Sequence, residues 1–508
     1  MIALGKIGEE GRPAGDPKTL AARIQEFVGH SSQDVAESAV IALGALGSFE
    51  SAPPLSALVK DDATGRKLVD GDRVPTRLRS FAAYGLGLIG ARTHMSDVKQ
   101  FVALELFSAL EGIDRKKENT YDLETACIIS LGLVRLPLRL VDPLEPREEL
   151  PEGEAPHNSR RAQIAALLSR LENSRKTELI RAHLPVALAR LSHDADLGTK
   201  RVVARELLDY LKKGKRTPLV LEQGCVTALG ILGDDDKDEI DVAIRSTLLR
   251  LAKKADRSTR RLALISLAQV GARQGEGERK AFEEVRTFLL EELEKGSTQL
   301  RPWAGLALGV LEHRRALAGQ SISTETKEAL TQALEESSSP DEASALCIAL
   351  GLARTIEAQD LLLSRTSQAQ DDVVRGFACV GLGLMGARAT IPRIREVAAN
   401  SLRRPRLLRD SATALALLGD KNAVPELSGE LREARTLAVG GAVASALSLV
   451  GDVRALRPLI EIVRAEGQPA PGTKERAFAA IALGGICDKE SLPFQSKISL
   501  DVNYWLPP

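Results

Sequence analysis

The 508-residue sequence predicts an all-α fold, an α-α superhelix (α-solenoid) of about 12–13 helical hairpins stacked in series. Three observations carry that prediction. First, a small residue closing an "ALG"- or "ALA"-like triplet recurs at Gly5, Gly44, Gly87, Gly132, Ala189, Gly230, Ala268, Gly309, Gly351, Gly383, Ala416, Ser448 and Gly484, at spacings of 39, 43, 45, 57, 41, 38, 41, 42, 32, 33, 32 and 36. Second, the clearest units show two helical periodicities separated by a turn signal. Third, Ala, Leu and Gly are abundant and aromatic residues make up only 3%, a bias that suits closely packed helices better than sheets.

Taken in chain order, "MIALGKIGEEG" reads as the second half of a repeat helix, so the natural chain is expected to start further upstream. The string lacks the basic start and apolar core of a signal peptide, which favours the cytoplasm for the chain as given, although an upstream piece could carry an export signal. After Lys60 the repeat is interrupted by "DDATGRKLVDGDRVPT". Residues 61–76 are expected as a loop insertion, either a small β-hairpin turned at Asp70-Gly71 or an irregular loop. The 57-residue gap between Gly132 and Ala189 holds a second insertion, 136–158. Residues 136–156 carry five prolines and six acidic residues against two arginines, which reads as a surface loop or as an acidic docking segment for a basic partner. An acidic turn, "DDDKDE", follows at 234–239.

The repeats are most regular over 371–487. Leu408, Ala412, Leu415 and Leu418 recur at helical steps, and so do Val424, Leu427 and Leu431 after a break. Leu456, Leu459, Ile460 and Val463 form one buried stripe in the next unit. Gly419-Asp420 and Gly451-Asp452 supply a helix stop followed by a cap. Pro392, Pro425 and Pro458 fall in the first turn of the second helix, where a missing N–H costs nothing. The small anchor lets a neighbouring helix approach, since a larger side chain would overpack the contact by about 1–3 kcal/mol. Residues 1–487 form the array. Residues 488–508 form a non-repeat tail whose Ile498, Leu500, Val502 and Tyr504 alternate like a strand, read as a cap over the last repeat or a motif for a partner.

Segments such as "SATALALLGDKNAVPELSGEL" and "GAVASALSLVGDVRALRPLIEIV" resemble HEAT repeats, of the short kind also found in phycobilisome-lyase-type proteins, among the armadillo-like α-solenoids. The resemblance covers about residues 1–487 and is closest from 371 onward. It implies antiparallel helix pairs whose second helices line one face, and recognition along a surface with no closed pocket. Scaffolds, transport factors, lyase subunits and enzymes all use the repeat, so it selects no single function.

The chemistry points the same way. Lys plus Arg and Asp plus Glu both total 69, a balance that argues against a dedicated nucleic-acid binder. Five cysteines without a CxxC give neither a disulfide framework nor a zinc signature, and Cys127, Cys225, Cys347 and Cys379 stand four or five residues before an anchor, in small-residue packing slots. None of the six histidines is followed by Glu, unlike the iron-binding HEAT-type hydroxylases, and no nucleotide, metalloprotease or hydrolase motif occurs. No apolar run reaches ~18 residues, so no membrane span is expected.

The function expected is therefore a non-catalytic protein-binding scaffold or adaptor with no cofactor. One alternative is a lyase-like protein needing a partner subunit or cofactor. Another is anion or nucleic-acid binding along a basic inter-repeat edge. Candidate partner-binding residues are Arg393, Arg395 and Glu396 on one second helix and Arg457 and Glu461 on a later one. Candidate residues of the basic edge are Lys212, Lys213, Arg257, Arg261, Arg403, Arg404 and Arg406. Arg79, Arg181, Arg260, Arg301, Arg375 and Arg476 each stand eight residues before an anchor. They read as a ladder that either holds neighbouring units in register or binds anions.

Overall fold

The computed structural model describes residues 1–8, 18–113, 120–138, 153–173, 177–212, 216–275, 281–367, 370–401, 403–420, 422, 424–433, 436–466 and 470–487. Every regular element among them is helical. The chain divides into two compact units, Met1–Leu232 and Gly233–Cys487. The first contains α1 (Ile2–Ile7), α2 (Leu20–Gln25), α3 (Gln33–Leu46), α4 (Ala52–Lys60), α5 (Ala63–Leu68), α6 (Thr76–Arg92), α7 (Ser96–Gly112), α8 (Tyr121–Leu133), α9 (Arg160–Glu172), α10 (Glu178–Arg181), α11 (Leu184–Ser192), α12 (Leu197–Tyr210) and α13 (Leu219–Leu232). The second contains α14 (Glu239–Lys254), α15 (Arg257–Ala272), α16 (Ala281–Lys295), α17 (Arg301–Leu317), α18 (Thr324–Glu336), α19 (Pro340–Leu352), α20 (Gln359–Arg365), α21 (Asp372–Met385), α22 (Ile391–Ala399), α23 (Pro405–Leu417), α24 (Val424–Glu433), α25 (Leu437–Val450), α26 (Leu456–Val463) and α27 (Thr473–Ile486).

All thirteen anchor positions lie in helices, one each in α1, α3, α6, α8, α11, α13, α15, α17, α19, α21, α23, α25 and α27. Within each unit these anchor helices pack on one another in chain order, and second helices alternate with them. Each unit is thus a superhelical stack of HEAT-like hairpins.

The small residues mark where anchor helices meet, and the contact has a fixed offset. A Cβ built on Gly44 would stand 2.4 Å from Gly85 Cα, and one on Gly87 would stand 2.6 Å from Ser130 Cβ. The same construction puts Gly132 at 2.7 Å from Ala187, Gly309 at 2.7 Å from Ala349, Gly351 at 2.7 Å from Gly381 and Gly383 at 3.0 Å from Ala414. Every partner lies two residues before the next anchor. Two anchors depart from the expectation of full burial, since Ala416 and Ser448 are half-buried. At the last junction the close approach is shifted by three residues, with the Ser448 side chain against Gly485 in place of Ala482.

The hairpins are closed by local signals. Gly419 and Gly451 adopt φ of 71° and 63°, a left-handed stop that a β-carbon would strain. Asp420 and Asp452 then accept the N–H of Asn422 and Arg454 at 3.1 and 2.8 Å. The six arginines of the ladder act as rungs. Their Nε–H groups donate to the last carbonyls of the preceding second helix: Arg79 to Val59 (2.9 Å), Arg260 to Ala252 (2.8 Å), Arg301 to Leu293 (3.0 Å) and Arg476 to Val463 (2.9 Å), with Arg181 on Leu171 and Arg375 on Thr366. Each rung satisfies a carbonyl that the helix end leaves open and places a cation at the negative end of the dipole.

A second set of contacts links consecutive repeats in one direction. Arg161 of α9 binds Asp196 at the start of α12 (2.8 Å), Arg286 of α16 binds Glu325 of α18 (2.6 Å), and Lys327 of α18 binds Glu357 ahead of α20 (3.1 Å). Arg395 of α22 binds Asp420 ahead of α24 (2.7 Å), and Arg432 of α24 binds Glu461 of α26 (3.2 Å). In each pair the base belongs to the earlier repeat and the acid to the later one.

Residues 61–76 form no β-hairpin; a short helix occupies 63–68 within what is otherwise the loop that the sequence suggests. Asp62 Oδ1 accepts the Gly65 N–H at 2.9 Å and caps α5. Gly65 presses on the Ala57 carbonyl too closely for any side chain, so the insertion forms a short helix seated on α4. Most of the acidic insertion (139–152), the tail 488–508 and Lys213 lie outside the described residues. Cys127, Cys225, Cys347 and Cys379 are buried, and burial pushes the thiols of Cys127, Cys347 and Cys379 up to about 12, as packing slots require. No described helix is long and apolar enough to cross a membrane.

A candidate recognition face on the second helices

The anchor helices bury most of their length, so much of the outward chemistry of each repeat sits on its second helix. In α16, Val285, Phe288, Leu289 and Leu293 face inward. In α18, Thr326, Leu330, Ala333 and Leu334 do the same. The remaining positions are dominated by exposed carboxylates: Glu283, Glu284, Glu291 and Glu294 on α16, and Glu325, Glu328, Glu335 and Glu336 on α18. Lys295 is the one exposed cation on these two helices among the described residues. The other two bases are drawn inward. The Arg286 side chain is only 14% exposed and lies between Glu283 and Glu325 with Phe282 beneath it, and Lys327 is turned to Glu357. Two adjacent helices thus present a predominantly acidic surface on a chain of zero net charge, with Glu283 and Glu325 shared by Arg286, Glu284 at 3.9 Å from Arg245 and Glu294 at 3.6 Å from Lys295.

The residues singled out from sequence are placed unequally. Arg395 makes a bidentate pair with Asp420, whose carboxylate is buried, and that pairing holds the Asp420 carboxyl below the usual carboxylate range. It is a stacking contact. Arg393 bridges Thr366 and Glu396, leaving the Glu396 carboxylate 56% exposed. Glu461 is shared by Arg432 and Arg457, and Arg457 is 92% exposed. Arg393 and Glu396 meet on α22, and Arg457 and Glu461 meet on α26.

The cations of the basic edge are mostly engaged. Lys212 pairs with Asp209, Arg404 with Asp372 at 2.9 Å, and Arg261 and Arg406 lie over the rings of Trp303 and Phe377 at 5.5 Å. Arg257 and Arg403 are exposed.

One acidic group was not visible as a unit in the sequence. Carboxylate oxygens of Asp234, Asp236 and Asp241 lie within 4.8 Å of one another. Such oxygens suit a hard divalent cation. Here each of the three already caps the loop: Asp234 accepts the Asp236 N–H, Asp236 that of Asp238, and Asp241 that of Asp234 at 2.7 Å. Arg245 Nη1 closes the turn on the Asp234 and Asp236 carbonyls. Burial, reinforced by the charges of Asp234 and Asp238, pushes the Asp241 carboxyl up to about 7. The sequence signal was the acidic turn itself, but Asp241 sits two residues beyond it, in the first turn of α14.

No protein-family model matches the chain, and no curated protein matches it. Solved structures with matching helical stacks include importin beta (15% identity over 94% of this chain and 68% of that one, TM-score 0.39) and Kap121p bound to Pho4p (11% over 92% and 53%, TM-score 0.41). The Kap95:Nup1 complex is a third (12% over 92% and 66%, TM-score 0.41). The chain spans about half the length of Kap121p. Nothing about partner or activity follows from likenesses at this level.

Proposed function

We propose that the protein is a non-catalytic binding scaffold, and that α16 and α18 grip a basic polypeptide. The observation that carries this reading is the set of eight exposed carboxylates on two neighbouring helices with a single exposed cation among them. An excess of one charge over a helical face steers a partner of opposite sign and favours one register, and it does so without a pocket. Glu396, Arg457 and Glu461 would supply further polar contacts toward the C-terminal repeats.

Titration with a lysine- and arginine-rich peptide, followed by fluorescence anisotropy, tests the reading. Binding is expected at physiological salt and should weaken by about tenfold or more at roughly 0.5 M salt, where the Debye length shortens to a few ångströms. Charge reversal at Glu291→Lys with Glu328→Lys should abolish it with little change in thermal stability, because both side chains are exposed. Equal binding by the reversed variant would overturn the assignment.

A further inference from the structure

The α5 insertion does more than fill a gap in the repeat. It forms one wall of a recess of about 410 Å³ whose other walls are α4 and α7, with Gln25 at the end of α2. Its polar inventory is lopsided. Glu105, in the middle of α7, is nine-tenths buried. It receives the Ser56 hydroxyl and the Lys60 ammonium, the latter at 2.6 Å, and both contacts fall on Oε2. Its Oε1 takes no hydrogen bond among the described residues. Asp62 lends Oδ1 to the α5 cap. The charged residues lining the recess are therefore two carboxylates, Glu105 and Asp62, against one ammonium, Lys60. The Phe101 ring stands beside them, held edge to face by Phe49 at 6.0 Å.

A half-buried site with one surplus negative charge, a free carboxylate oxygen and an aromatic wall has a defined complement. We propose that this recess binds a single guanidinium or primary ammonium group carried on a short alkyl stem. The cation takes Glu105 Oε1, while its stem lies along Phe101 and Pro53. Lys60 is the internal competitor, because it occupies the other oxygen of the same carboxylate. The recess lies in the first unit and is independent of the acidic face on α16 and α18.

Calorimetric or NMR titration of the full chain tests this with two probes. Propylguanidinium represents a free small cation, and N-acetyl-arginine N-methylamide represents the side chain of a polypeptide. At least one should bind with a dissociation constant at or below about 10 mM. A preference for the blocked amino acid identifies a partner's side chain as the source, and a preference for propylguanidinium identifies a free metabolite. Glu105→Gln, which keeps an acceptor for Ser56, should weaken binding about tenfold. Asp62→Asn, which preserves the α5 cap, should weaken it less. Lys60→Gln should tighten it, a gain that misfolding cannot imitate. Absence of binding by both probes in the parent chain overturns the proposal, as does indifference to Glu105→Gln or weaker binding by Lys60→Gln.

Discussion

At Gly351 and Gly429 a single methyl group has opposite consequences. A Cβ on Gly351 would stand 2.5 Å from the Gly381 carbonyl oxygen, so Gly351→Ala forces two backbones apart and should cost about 1–3 kcal/mol. Gly429 lies inside α24 with nothing within 4 Å, so Gly429→Ala should gain about 0.5–1 kcal/mol from helix propensity alone. Urea midpoints of the two variants should move in opposite directions from the parent. The buried aspartates diverge in a similar way. Asp420 is held low by Arg395, so its contribution is present above the usual carboxylate range and is lost as pH falls through its depressed value. Asp241 is raised to about 7, so its contribution is fully present below the usual carboxylate range and is lost as pH rises through about 7. Asp241→Asn keeps an acceptor for the Asp234 N–H and removes that loss. The variant should melt above the parent at about pH 8, with the difference fading below about pH 4. A lower melting point at the alkaline end would contradict the burial of this charge.

Between elements, the two kinds of contact differ in how far they could be read from sequence. The arginine rungs were legible because their spacing to the anchor is fixed at eight, and a ladder holding units in register was one of two readings open to them. A carboxylate or a helix-end carbonyl of a neighbouring unit was the acceptor expected, and the structure supplies the carbonyl; which carbonyl it is could not be read, since a backbone acceptor leaves no mark on residue identity. The inter-repeat ion pairs were hidden for another reason. They join residues 35, 39, 30, 25 and 29 positions apart, with no constant separation to reveal them. Arg395 accordingly looked like a free surface residue and proved to be a stacking contact. The helix α5 was missed because "ATGRKL" has weak propensity, and its one signal was Asp62 at the cap. The glutamates of α16 and α18 were present as composition, but only the fold turns them to the same side. A double-mutant cycle on Arg395→Ala and Asp420→Ala checks the directional contact. A coupling of about 1–2 kcal/mol is expected, because removing either partner strands a desolvated group, and coupling near zero would make it a surface pair.

Within each of the two units, each repeat touches mainly its neighbours, so stability accumulates repeat by repeat and does not depend on one central core. A chain comprising residues 233–487 should therefore retain a helical far-ultraviolet spectrum and a cooperative urea transition. A featureless spectrum for that piece would show that the second unit cannot stand alone. The buried cysteines give this architecture a built-in reporter. Cys127, Cys225, Cys347 and Cys379 sit in α8, α13, α19 and α21, one to a helix, and each is shut off from solvent. A thiol reagent can reach them only when the local hairpin opens. Four alkylation rates, resolved by peptide mass, would then read out how breathing motions are distributed along the array without any label having to be engineered into it.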